Sequence, residues 1–86
     1  MRKPLIAANW KMNTDNVSGY ELMDEMLDQL DAIGTVDVAI CPPFTMLESF
    51  SELFDGTELF LGAQNMHWEE KGAYTGEISP PMLVSL

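Results

Sequence analysis

Basic residues are scarce in this 86-residue chain: four Lys and Arg stand against fourteen Asp and Glu, a formal net charge of −10. Phosphate backbones are bound through clustered Lys and Arg, so this balance excludes nucleic acid as a partner. An anionic membrane surface is excluded on the same ground. Cysteine occurs once, at Cys41, which leaves no internal disulfide and no cysteine-built zinc cluster, and suits a reducing compartment. Long apolar runs are missing too; nothing approaches the roughly 20 residues that span a bilayer. Arg2 and Lys3 head a short apolar stretch, but Asn9 and Lys11 cut it before signal-peptide length. The compartment these features predict is the cytoplasm, where the glycosylation spacing of Asn16-Val17-Ser18 is a chance match. Hydrophobicity is not lacking. At 47% hydrophobic and 21% charged residues, the chain has the opposite of a disordered composition. Its length allows one small domain or a piece of a larger one.

Apolar runs and amphipathic stretches alternate. Leu5 to Asn9 follows Pro4 and is too short for a helix, which predicts a strand. From Asp15 to Ile33, Val17, Tyr20, Met23, Met26, Leu27, Leu30 and Ile33 recur at three- and four-residue steps, with the acidic residues elsewhere. This predicts an amphipathic helix with Gly34 as its left-handed terminator, and it makes Met23 and Met26 ordinary core. Val36 to Cys41 is a second apolar run, stopped by Pro42-Pro43. A second helix is expected from Phe44 to Phe54 with Gly56 as its stop, and a third strand from Leu59 to Gln64. Strands that read as unbroken apolar runs between amphipathic helices predict an α/β architecture, β-α-β-α-β, with parallel strands and both sheet faces covered. Ser79-Pro80-Pro81 then has the form of a helix start, Ser at the N-cap and Pro in the first turn, so a third helix begins near the last residues.

Ligands of parallel α/β folds sit at the carboxyl ends of strands. The three expected ends carry Asn9-Trp10-Lys11-Met12-Asn13, Cys41-Pro42-Pro43 and Gln64-Asn65-Met66-His67. Lys11 is a rare cation just past a strand end, beside Asn9, whose amide can donate a hydrogen bond. Together they can hold a substrate phosphate or steady a developing oxyanion; the plain alternative is a solvated lysine offsetting local acidity. His67 is the lone imidazole, yet it has no motif partner and reads as a packed or loop histidine. Glu69-Glu70-Lys71 reads as a solvated charge run. Lys71-Gly72-Ala73-Tyr74-Thr75-Gly76-Glu77 reads as a projecting loop, with Tyr74 either meeting another surface or packing within the loop.

Asn9-Trp10-Lys11-Met12-Asn13, Gly62-Ala63-Gln64-Asn65 and Gly72-Ala73-Tyr74-Thr75-Gly76-Glu77-Ile78-Ser79 closely resemble triosephosphate isomerase, in register from Pro4 onward. The resemblance implies a partial (β/α)₈ barrel, about one third of the roughly 250 residues typical of the fold. It also implies interconversion of dihydroxyacetone phosphate and glyceraldehyde 3-phosphate, in glycolysis and gluconeogenesis, without metal or cofactor. It gives Lys11 the catalytic cation's place near the substrate phosphate and enediolate, and Asn9 that of a substrate-contacting amide. Gln64 and Asn65 become supporting residues at the third strand end. With Met12, Tyr74, Thr75 and Glu77 they form the expected interface set, in which the Gly72–Ser79 loop reaches a neighbouring copy in a homodimer or higher oligomer. The family's glutamate base, electrophilic histidine and glycine-rich phosphate grip match nothing in these 86 residues, so the chain alone is expected to be inactive or nearly so. The alternative from another class is a non-enzymatic, self-assembling barrel-fragment module.

Overall fold

A computed structural model describes residues 2–86. Strand β1 (Leu5–Asn9) lies parallel to β2 (Asp37–Cys41), in register from Leu5 opposite Asp37 to Asn9 opposite Cys41. The Asp37 N–H donates to the Pro4 carbonyl at 2.8 Å, so the ladder starts on a residue whose own nitrogen could not join it. Strand β3 (Phe60–Leu61) pairs with the other side of β2, giving a parallel three-stranded sheet of order β1-β2-β3. Two helical crossovers join the strands: α1 (Asn16–Asp31), then a 3₁₀ turn at Phe44–Met46 running into α2 (Leu47–Leu53). The last element is α3 (Pro80–Val84). The expected β-α-β-α-β order and strand direction therefore hold.

The core lies between the sheet and the α1/α2 layer. Met23, Val38, Ile40, Met46, Phe50, Phe54 and Leu59 are buried together, with Met26, Leu27 and Leu30 of α1 packed against them. Strand pleating sorts β2 cleanly: Val38 and Ile40 are buried, while Asp37, Ala39 and Cys41 alternate with them and are only half-buried. The helices cover one sheet face only, which corrects the expectation of two covered faces. Leu5 of β1 and Phe60 of β3, in register with that second set, are 61% and 54% exposed.

Several boundaries differ from the sequence expectation, each for a local reason. Helix α1 starts where Asp15 predicts, in a reciprocal cap in which the Ser18 N–H donates to Asp15 Oδ1 at 2.8 Å and the Asp15 N–H to Ser18 Oγ. It ends at Asp31, two residues short of Ile33, with Ala32 as its cap in ordinary right-handed backbone whose N–H bonds the Asp28 carbonyl. Gly34 is not among the glycines with positive φ, so no left-handed cap forms there; Gly56, at φ +80°, does follow α2. The second helix begins as a 3₁₀ turn because the Met46 N–H bonds the Pro43 carbonyl three residues back. Strand β2 starts one residue late, at Asp37.

Strand β3 is shorter than Leu59–Gln64 at both ends. The Leu59 N–H is diverted to the Thr57 hydroxyl, and after the Gly62 N–H bonds the Ile40 carbonyl the next β2 residue on that side is Pro42, which has no N–H to continue the ladder. Ser79 occupies the N-cap position of α3, but its hydroxyl makes no capping bond. Pro80 and Pro81 lack an N–H, so of the N2 and N3 donors that a cap serves only that of Met82 remains. No helix among the described residues is long and apolar enough to cross a membrane.

Candidate active site at the carboxyl ends of the strands

The chain leaves β1 through Trp10, whose N–H donates to the Cys41 carbonyl at 3.1 Å. Its ring stands edge-on to the fully buried Phe50, with centroids 5.4 Å apart at 81°. Lys11 follows in left-handed backbone, φ +58°, a conformation that costs a residue with a Cβ. Two side chains hold it there. Asn9 Oδ1 accepts the Lys11 N–H at 2.8 Å, and Gln64 Nε2 donates to the Lys11 carbonyl at 2.9 Å. The same Gln64 nitrogen donates to the Cys41 carbonyl at 2.9 Å, so one amide ties the ends of all three strands. With its oxygen engaged, the Asn9 amide has its Nδ2 donor uncommitted among the described residues. The only ion pair among the described residues joins Lys3 to Asp37, at the amino ends of the strands, which leaves the exposed Lys11 ammonium without a carboxylate partner. Met12, next along, is 97% exposed.

The structure thus brings Asn9, Lys11 and Gln64 together, with Met12 beside Lys11, and places Tyr74, Thr75 and Glu77 in a second loop that Asn65 opens. Asn65 Oδ1 accepts the Met66 N–H at 2.8 Å. That loop closes on itself: the His67 N–H donates to the Ile78 carbonyl at 2.7 Å and the Glu77 N–H to the Tyr74 carbonyl at 3.0 Å. The His67 ring stacks on Trp68 at 4.4 Å and lies against Tyr74 at 4.5 Å. Gly72, at φ +140°, is what lets Tyr74 fold back, since a Cβ there would sit 2.8 Å from the tyrosine ring. Tyr74 therefore packs inside its own loop while staying 47% exposed. Thr75 and Glu77 lie exposed beside it. No hydrogen bond among the described residues joins the Gly72–Ser79 loop to Lys11.

Sequence reasoning missed the positive φ of Lys11 and Thr14, and the Cys41 carbonyl as the shared acceptor. Among the described residues, no group of three or more His, Cys, Asp or Glu lies close enough to hold a metal ion.

A family model described as triosephosphate isomerase matches residues 4–86. The chain belongs to the triosephosphate isomerase family. It is 52% identical over 86 residues to triosephosphate isomerase of Herpetosiphon aurantiacus, covering all of this chain and 34% of that protein. The Carboxydothermus hydrogenoformans triosephosphate isomerase is 51% identical over 83 residues, covering 96% of this chain and 33% of that protein. The crystal structure of the Bartonella henselae triosephosphate isomerase superposes with a TM-score of 0.85 at 36% identity, over 98% of this chain and 34% of that one. The chain spans about one third of the length of these relatives. Its three parallel strands and their helices are thus a partial (β/α)₈ barrel, with the Asn9/Lys11/Gln64 cluster at the end of the strands where such barrels place their sites.

Proposed function

We propose that this chain supplies the electrostatic part of a site interconverting dihydroxyacetone phosphate and glyceraldehyde 3-phosphate, in the cytoplasm and without metal or cofactor. Lys11 holds the substrate phosphate and offsets the negative charge that develops on the enediolate oxygen, and Asn9 Nδ2 donates to the substrate. The observation that carries this reading is the Lys11 backbone, fixed at its N–H by Asn9 and at its carbonyl by Gln64, with the ammonium left without a carboxylate partner. A cation fixed in advance stabilises developing charge without reorganising at the moment of reaction.

The proton transfer is a separate matter. Isomerisation moves a proton between adjacent carbons through the enediolate, and an oriented base contributes about 10²–10⁴-fold. No carboxylate here matches the family's glutamate base, and the one imidazole, His67, is stacked within the second loop. These 86 residues alone are therefore expected to turn over little or nothing. Self-association through the Gly72–Ser79 loop completes the proposal, supported by a loop already folded around His67 and by exposed Met12 and Trp68. The open sheet face at Leu5 and Phe60 favours a second reading, a non-enzymatic self-assembling barrel module.

A coupled isomerase assay on the chain and on Lys11→Met, with an NMR titration of inorganic phosphate, separates the readings. Lys11-dependent shifts with no turnover are expected. Turnover abolished by Lys11→Met would show that a complete site assembles from this chain, and shifts independent of Lys11 would leave only the module.

A further inference from the structure

The Lys11 turn has a second end. Thr14 is the only other non-glycine residue with positive φ among the described residues, at +72°, a costly conformation for a β-branched side chain. Between the two, Asn13 Nδ2 closes the turn on the Trp10 carbonyl at 2.7 Å. Asn9 and Gln64 secure the Lys11 end; the Thr14 end meets something different. Its hydroxyl lies 2.5 Å from the Asn13 carbonyl and 3.5 Å from the Sδ of Met46, and its single proton serves one or the other. Met46 is fully buried in the 3₁₀ turn before α2, so the sulfur that touches Thr14 is part of the core.

Gly19, in α1, is what makes room for this contact. A Cβ built on Gly19 would stand 2.3 Å from Met46 Sδ and 2.8 Å from Thr14 Oγ1, so the thioether and the hydroxyl share the space a side chain would take. Real Cβ atoms do not tolerate such approaches, and Met46 is hemmed in by the core. In an open helix interior alanine is preferred to glycine; at this position the glycine is required by its neighbours.

We propose that Gly19, Met46 and Thr14 form a second anchor for the Lys11 turn and act as positioning residues for its ammonium. The anchor transmits the packing of α1 against the 3₁₀ turn into the left-handed backbone that presents Lys11. The functional half of this inference rests on the reading of Lys11 as the phosphate-binding cation; the structural half does not.

The test follows amide hydrogen exchange by NMR in the full chain, comparing Gly19→Ala and Thr14→Val with Thr14→Ser. In the first two variants the Lys11 N–H, bonded to Asn9, should exchange about tenfold faster under an anchor of this kind, the fold-change of roughly one lost hydrogen bond. Ile40 in the centre of the sheet serves as the reference amide and should not change. Thr14→Ser keeps the hydroxyl and should keep Lys11 protected. Unchanged Lys11 protection in both Gly19→Ala and Thr14→Val overturns the inference, as does loss of protection at Lys11 and Ile40 alike, which would mark a general loosening. Inorganic phosphate is then titrated into each variant. Affinity reduced several-fold in Gly19→Ala and Thr14→Val, and kept in Thr14→Ser, supports the positioning role; undiminished affinity overturns it. Phosphate shifts that persist in Lys11→Met overturn the cation reading and leave the exchange result to judge the anchor.

Discussion

The loop after β1 and the loop after β3 are both glycine-free or glycine-broken excursions from a strand end, yet they are held in opposite ways. Residues 10–14 close once on themselves, Asn13 on the Trp10 carbonyl, but are fixed mainly from outside: Asn9, Gln64, Cys41 and Met46 supply partners from four other places in the chain. Residues 66–78 are fixed from within, by a stack of His67, Trp68 and Tyr74 and by backbone bonds that close on the loop itself. A loop held from outside places one side chain accurately relative to the scaffold, which is what a charge acting on a substrate needs. A loop held from within keeps its shape but gains little fixed direction from the sheet, and it offers its outer residues, Thr75 and Glu77, as a preformed surface.

The sharpest way to break this contrast is at Gln64. Gln64→Glu replaces a donor that serves two carbonyls with a carboxylate that repels both. The loss of two hydrogen bonds, each worth about 1 kcal/mol, and the exposure of two acceptors to an anion should cost about 2–4 kcal/mol. Urea unfolding should show it, and the Lys11 amide should lose protection while the His67 amide, bonded to Ile78, keeps its own. Equal loss in both loops would mean that they are a single unit.

The converse change is smaller. Tyr74→Ala removes one ring from the His67 stack, an interaction worth about 0.5–1.5 kcal/mol beyond its buried area. Faster exchange at His67 and Glu77 is expected, with Lys11 untouched. Because Tyr74 also shapes the proposed contact surface, light scattering should show weaker self-association. Association undiminished by Tyr74→Ala would remove the loop from the interface.

The contrast also marks what the sequence could tell. Strand β1 was legible to the residue, because Pro4 and the polar Asn9 bound a run whose pairing is local to the sheet. The entry to α1 was legible as well, because the three- and four-residue apolar steps begin just past Asp15; the reciprocal Asp15–Ser18 cap that fixes it is a finding of the structure. The site chemistry was partly legible, as a rare cation past a strand end. Its geometry was not, because the Lys11 carbonyl is fixed by Gln64, 53 residues later, and no short-range pattern encodes that bond. The failure at Gly34 has the same origin in reverse. A glycine after an amphipathic stretch permits a left-handed cap without requiring one, and α1 ended earlier on an ordinary right-handed turn.

The smallest expected effect concerns the helix that follows the first loop. The Asp15 carboxylate is held below the ordinary carboxylate range, first by the Ser18 backbone N–H and then by the Ser18 hydroxyl. A carboxylate whose folded pKa is depressed adds stability that is fully present above its unfolded pKa and is lost as pH falls through the folded one. The cap should therefore be intact at neutral pH and weaken only in acid, below the range where free aspartates protonate. Asp15→Asn, which caps without a charge, should flatten that acid-side dependence of unfolding while changing stability at pH 7 only slightly. Since Asp15 adjoins Thr14, acid that uncaps α1 should loosen the Lys11 turn before it reaches the self-packed loop. Exchange measured at pH values below the usual aspartate range should show Lys11 losing protection ahead of His67 in the native chain, and no such order in Asp15→Asn.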